Sequence, residues 1–175
     1  MIDGDGRKAE ILEALQQAEK PISATSFAKK FGVSRQIVVG DVALLRAAGE
    51  NIIATARGYL LERESEKLIS KIAVQHTPDQ TEEELHTIVE HGGEVIDVIV
   101  EHPLYGELVG GLHLTTQQDV DNFIKEANGQ QVTLLSELTE GIHLHTIAYG
   151  TLDDLAKIKE ALSQKGILYE EKHHS

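Results

Sequence analysis

The sequence predicts an α+β chain built from two domains, and three observations carry that prediction. Formal charge is distributed unevenly: residues 1–63 hold nine Lys/Arg and eight Asp/Glu, for +1, whereas residues 64–175 carry −14 of the total −13. The first stretch shows apolar residues at helical spacing, interrupted by short turns. The second alternates β-rich runs with amphipathic helical segments. At 175 residues, with 41% hydrophobic and 26% charged, the chain has enough apolar material for packed cores and lies far from disordered or fibrous compositions.

The bulk numbers also narrow the function classes. No run approaches the roughly 18 apolar residues of a membrane span, and Met1–Gly6 lacks the features of a signal peptide, so the sequence reads as cytoplasmic with no membrane partner. There is no cysteine, so any metal must be held by His, Asp or Glu, and nine histidines are available. An acidic body repels nucleic acid, while a near-neutral head can approach it.

Within residues 1–63, Ile11, Leu12 and Leu15 with Ala14 and Ala18 form one buried stripe over Arg7–Glu19, closed by Pro21. Ser23 is placed to cap a second helix carrying Phe27, Ala28 and Phe31, and Gly32 falls where a left-handed C-terminal cap belongs. A short turn then reaches Ser34, an N-cap for a third helix running to Ala48. This is helix-turn-helix spacing. Ile52–Thr55, the turn Ala56-Arg57-Gly58 and Tyr59–Leu61 read as a hairpin, which makes the head a winged helix-turn-helix. Recognition helices present their N-terminal residues to base edges, which points to Ser34, Arg35 and Gln36 as readers of double-stranded DNA. Lys29, Lys30, Arg46 and the wing-tip Arg57 are candidates for phosphate contacts.

Residues 64–175 read as strand (Leu68–His76), helix (Thr81–His91), strand (Glu94–Glu101), strand (Leu108–Leu114), helix (Thr115–Ala127), strand (Ile142–Ala148) and helix (Asp153–Ser163), with a short final strand. That order is the split pattern of a ferredoxin-like α/β sandwich. In the fourth strand His143 and His145 share one face, which places Ile142 and Leu144 in the core. The first and fourth strands of such a sheet are antiparallel neighbours, so His76 should meet His143. The following helix begins at the same edge and brings Glu84 within reach. Three imidazoles and one carboxylate suit Zn, Ni or a similar divalent ion. Glu84 has a competing structural role, as the third residue of a capping box with Thr81. His86, His91 and His113 read as surface residues, and His173 and His174 as a charged tail.

Taken together, the helix-turn-helix, His76-Thr77-Pro78, Glu83-Glu84-Leu85, His102-Pro103-Leu104-Tyr105-Gly106 and Leu138–Thr146 (LTEGIHLHT) resemble the NiaR (YrxA-like) repressors. In that family a DNA-binding domain precedes a three-histidine (3H) domain. The resemblance spans nearly the whole chain and implies a non-enzymatic repressor of niacin-uptake and NAD-salvage genes. It further implies nicotinic acid as co-repressor and a metal at the positions of His76, Glu84, His143 and His145. His102 and Tyr105 are candidates for orienting a pyridine carboxylate. A homodimer placing two heads on half-sites about one helical turn apart fits this reading. Two alternatives stay open from the residues alone: a repressor for which the metal itself is the signal, and a metal-dependent hydrolase.

Overall fold

The computed structural model describes residues 2–63, 66–130 and 141–170. Leu138, Thr139 and Glu140 of the motif, and the tail residues His173 and His174, lie outside the described residues. By its internal contacts the chain divides into Met1–Ser65 and Glu66–Ser175.

In the first unit, α1 (Gly4–Gln17) begins three residues ahead of the predicted start, because the Asp3 side chain caps it by accepting from the Gly6 N–H at 2.8 Å. Ser23 caps α2 (Ala24–Phe31), which ends at Gly32 with φ 68°. Ser34 caps α3 (Arg35–Ala47), its hydroxyl accepting from the Ile37 N–H. The three helices enclose Ile11, Leu15, Phe27, Val38, Val42 and Ile52. Arg7 donates through Nε to Asp41 at 2.8 Å, which ties α1 to the buried side of α3. β1 (Ile52–Thr55) and β2 (Gly58–Leu61) form the antiparallel wing. Gly58 is required there: its φ is +123°, and a Cβ would stand 2.6 Å from the Ile22 carbonyl carbon.

In the second unit, β3 (Leu68–Gln75), α4 (Thr81–Glu90), β4 (Glu94–His102), β5 (Gly106–Leu114), α5 (Gln117–Gln130), β6 (Ile142–Tyr149) and α6 (Leu152–Gln164) follow the predicted order of elements. The sheet is antiparallel, in the order β3-β6-β4-β5. The first and fourth strands of the unit are therefore neighbours, as expected, and β3 and β4 run parallel with one strand between them. That intervening strand is β6, the fourth, where a ferredoxin-like sheet would place the third. Burial is consistent with the exchange: five of the eight residues of β6 are buried, whereas only two of the nine of β5 are, as suits an edge. The expected final strand is reduced to a single bridge between Val74 and Leu168. One core unites Ile72 and Val74 of the sheet with Leu85 and Ile88 of α4, Val120 of α5, and Ile158 and Leu162 of α6, so the helices cover one sheet face.

Candidate metal centre and DNA-reading surface

His76 follows the end of β3, Glu84 lies in α4, and His143 and His145 lie on β6; all four are buried, Glu84 completely. The ladder pairs Val74 with His143 and Ile72 with His145. Residues paired in this way project to the same side of a sheet. The imidazoles therefore share the helix-covered face with Ile72 and Val74, while Ile142 is 40% exposed. This corrects the expectation that Ile142 and Leu144 would enter the core. Alternation places His143 and His145 on a common side, and the packing of α4 decides that this side is the interior.

Each imidazole is fixed from behind. His76 Nδ1 lies 2.7 Å from the Thr77 carbonyl, His143 Nδ1 2.9 Å from the Gly141 carbonyl, and His145 Nδ1 2.7 Å from the Asp97 carbonyl. A carbonyl can only accept, so each Nδ1 carries the hydrogen and each Nε2 offers a lone pair. The three Nε2 atoms converge on Glu84. His143 Nε2 stands 3.1 Å from His145 Nε2 and 3.2 Å from Glu84 Oε2. His76 Nε2 touches Glu84 Oε2, and His145 Nε2 touches Glu84 Oε1. His76 Nε2 and Glu84 Oε2 are buried against one another, away from solvent.

Four lone-pair donors aimed at one another are unfavourable unless positive charge lies among them. The electrostatics agree. Burial pushes the Glu84 carboxyl up, but the imidazoles of His145, His143 and His76 outweigh it and hold it well below its usual range. Burial lowers the affinity of His76 and His145 for a proton, yet the Glu84 carboxylate raises both above the ordinary histidine value. Ligand atoms each about 2.0–2.1 Å from one divalent ion stand about 2.8–3.4 Å apart at octahedral to tetrahedral angles. The 3.1 and 3.2 Å separations fall in that interval, and His76, Glu84 and His143 each bring one ligand atom within 4.8 Å of the others, so this buried group fits a first-row divalent metal, with His145 beside it against Glu84 Oε1.

Glu84 is free to turn into the site because it does not cap its own helix. The expected capping box with Thr81 is absent: Gln80 occupies the N-cap position, with no side-chain cap, and Thr81 Oγ1 is buried without a partner. The box occurs one turn earlier, between Thr77 and Gln80, where a 3₁₀ turn (Pro78–Gln80) leads into α4. Sequence reasoning missed Asp97, whose carbonyl orients His145 and whose carboxylate accepts from the Thr146 N–H at 2.9 Å. An acidic residue inside the apolar run Val95–Ile99 was the available signal. It also missed Gly141, with φ +89° and no room for a Cβ beside the His76 carbonyl oxygen.

The effector candidates His102 and Tyr105 lie at the β4–β5 turn. The His102 Nδ1 accepts from the N–H groups of Leu104 and Tyr105, the two rings lie 5.2 Å apart, and Tyr105 is 70% exposed. His86, His91 and His113 are half-buried.

In the head, Arg35 and Gln36 are exposed at the start of α3, and Arg46 is exposed in its last turn. The Ser34 hydroxyl is engaged as the helix cap. Arg57 is half-buried in the wing turn, its backbone N–H donating to Thr55 Oγ1. Lys29 and Lys30 are exposed at the end of α2. The sequence reading passed over Ile37 and Leu44, which are 43% and 58% exposed on α3, and Gly40, where a Cβ would meet open space. An apolar, small-residue stripe on the outer side of that helix suits contact with thymine methyl groups and sugars.

Comparison with known proteins agrees with this architecture. Residues 69–171 match the 3H domain, and residues 7–60 match a helix-turn-helix (HTH) domain. The chain is 38% identical over 165 residues to a protein named probable transcription repressor NiaR, of Thermotoga maritima, covering 94% of each chain. It is 38% identical over 172 residues to the transcription repressor NadR of Bacillus subtilis, again covering 94% of each. A helix-turn-helix head joined to a 3H domain, in a chain whose relatives are named transcription repressors, defines a DNA-binding transcription regulator rather than an enzyme. The chain belongs to the NiaR/NadR-type family of transcription repressors. Among the described residues, no helix is long and apolar enough to cross a membrane.

Proposed function

We propose that this chain is a metal-containing repressor of niacin-uptake and NAD-salvage genes, with nicotinic acid as co-repressor. Residues 1–63 read the operator, and residues 64–175 hold a divalent ion, Zn or Ni, through His76, Glu84, His143 and His145. The observation that carries the sensor reading is the convergence of three Nε2 lone pairs on the buried Glu84 carboxylate, each imidazole locked by a backbone carbonyl. Once bound, the metal supplies a Lewis acid that a pyridine nitrogen or carboxylate can approach. His102 and Tyr105 orient that ligand, and Arg35, Gln36, Arg46 and Arg57 make the DNA contacts.

In this reading the protein acts as a homodimer, and nicotinate binds the DNA-competent arrangement of the two heads more tightly than the alternative. Fluorescence anisotropy with operator duplexes, selected from random sequence by the protein itself, tests the proposal. Nicotinate at constant metal should tighten DNA binding at least about fivefold, the low end of ordinary allosteric coupling. A response to metal but not to nicotinate would instead make the metal the signal, a reading favoured by the burial of all four ligands.

A further inference from the structure

Helix α3 turns Val38, Asp41 and Val42 to the interior of the head. At about 100° per residue, its opposite side carries Gln36, Gly40, Ala43 and Ala47, all exposed. Two lines of side chains border that side. Arg35 and Arg46 fall on one flank, and Ile37 and Leu44, 43% and 58% exposed, fall on the other. Gly40 stands three residues after Ile37 and four before Leu44, and residues at those spacings are neighbours on a helix surface. The two apolar side chains therefore rise on either side of a position that has none, which leaves a notch one residue wide.

Nothing within the head calls for glycine here. Gly40 lies inside a regular helix and not at a positive φ, and a Cβ would find nothing within 4 Å. A mid-helix glycine lowers stability relative to alanine, and Ile37 and Leu44 forgo the gain of burial. Both features cost the free domain stability, and both are accounted for by a body that seats against α3. The helix-turn-helix match over residues 7–60 makes that body duplex DNA, and the Arg35 and Arg46 flank is complementary to its phosphates. The apolar group that base edges offer in the major groove is the thymine 5-methyl. We propose that Ile37, Gly40 and Leu44 form a notch that receives the methyl group of one operator thymine, with Gly40 setting how closely α3 approaches the base edges. Specificity at that base pair then comes from shape and burial, not from hydrogen bonds. The inference rests on DNA binding by the head and is independent of the metal and of nicotinate.

The test uses the full chain and a duplex that it selects from random sequence, with affinity measured by fluorescence anisotropy at constant metal. Each thymine of the selected site is replaced in turn by deoxyuridine, which removes the methyl group alone. At one position this should weaken binding about threefold or more, the value of one methyl-sized group taken out of water. Gly40→Ala should raise the melting temperature of the head by about 2–8 °C. The same variant should bind the thymine duplex at least about fivefold more weakly, because a methyl group is added at a packed contact. Its preference for thymine over uracil should disappear, and that of Ile37→Ala should shrink. Equal binding of the thymine and uracil duplexes by the parent overturns the proposal, as does a Gly40→Ala variant that binds DNA as tightly as the parent. A Gly40→Ala loss of the same size on both duplexes also overturns it, since α3 then meets sugar or phosphate at this point. A parent that selects no duplex at all would sink DNA reading by the head, and this inference with it.

Discussion

His143 Nε2 and His145 Nε2 lie 3.1 Å apart on the inner face of β6, while the Nδ1 of each is turned away to a main-chain carbonyl, that of Gly141 for one and Asp97 for the other. Because the carbonyls fix the tautomers, neither ring, while neutral, can relieve the contact by donating to its neighbour; a proton or a metal must supply the positive charge. The relationship is built into the backbone, and it makes the cluster selective for positive charge.

Glu84→Gln preserves the shape of the side chain and removes its charge. Metal affinity should fall by more than about a hundredfold, since even outer partners of a metal site are worth about 10–100-fold. Titration against a competing chelator measures this. An unchanged affinity would exclude Glu84 from the ligand set.

Gly141→Ala should damage the site without touching a ligand atom. A Cβ there would stand 2.2 Å from the His76 carbonyl oxygen, and φ is +89°. The cost is about 1–3 kcal/mol of backbone strain, or displacement of the Gly141 carbonyl from His143. Thermal denaturation and metal content should fall together. A variant with full metal content and unchanged melting would show that the strand entrance tolerates a side chain.

The pH dependence follows from the same residues. His76 and His145 are raised above their ordinary 6.5 in the metal-free fold. Their protonation therefore stabilises the fold fully below about pH 6.5, and this stabilisation is lost as pH rises through the raised values. Glu84, lowered well below 4.5, contributes stability above that value and loses it only in stronger acid. Metal displaces the protons, so its stabilising increment grows as pH rises. The metal-induced rise in melting temperature should be larger at about pH 8 than at about pH 6. An increment that is flat across this interval would show that the imidazoles are not the ligands.

For the head, Arg35→Ala or Gln36→Ala should cost about 1–3 kcal/mol with the preferred duplex and relax preference at one position. Arg46→Ala should weaken all sequences alike and reduce the salt slope by about one. Anisotropy titrations over a range of salt distinguish the two behaviours. If Arg35→Ala loses affinity equally for every sequence, its contact is to phosphate.

Ser34→Ala should lower the melting temperature of the head by removing the cap on α3, at about 1 kcal/mol. Ser34→Asp should recover the stability. If its DNA affinity falls nonetheless, Ser34 lies close to phosphate.

Much of the fold was legible because its punctuation is local. Ser23, Gly32, Ser34 and Gly49 delimit their helices through contacts within a few residues, and the hairpin turn at Arg57-Gly58 is set in the same way. The error at α4 has the same origin. Thr77 and Thr81 both offer a start signal four residues apart, and the intervening Pro78–Gln80 turn decides in favour of the earlier one. At β6 the alternating pattern is symmetric with respect to the two sheet faces, so it pairs His143 with His145 but leaves open whether they face solvent or helices.

The amino-acid sequence by itself determined the two-domain α+β plan, the helix-turn-helix spacing and the candidacy of His76, Glu84, His143 and His145, because caps, turns and hydrophobic periods depend on neighbours along the chain. Only the tertiary structure decided that the imidazoles point inward and that Asp97 and Gly141 hold them. Glu84 and the β6 histidines are 59 and 61 positions apart. Contacts over such distances are set by strand pairing and helix packing, which bury what the local pattern merely lists side by side.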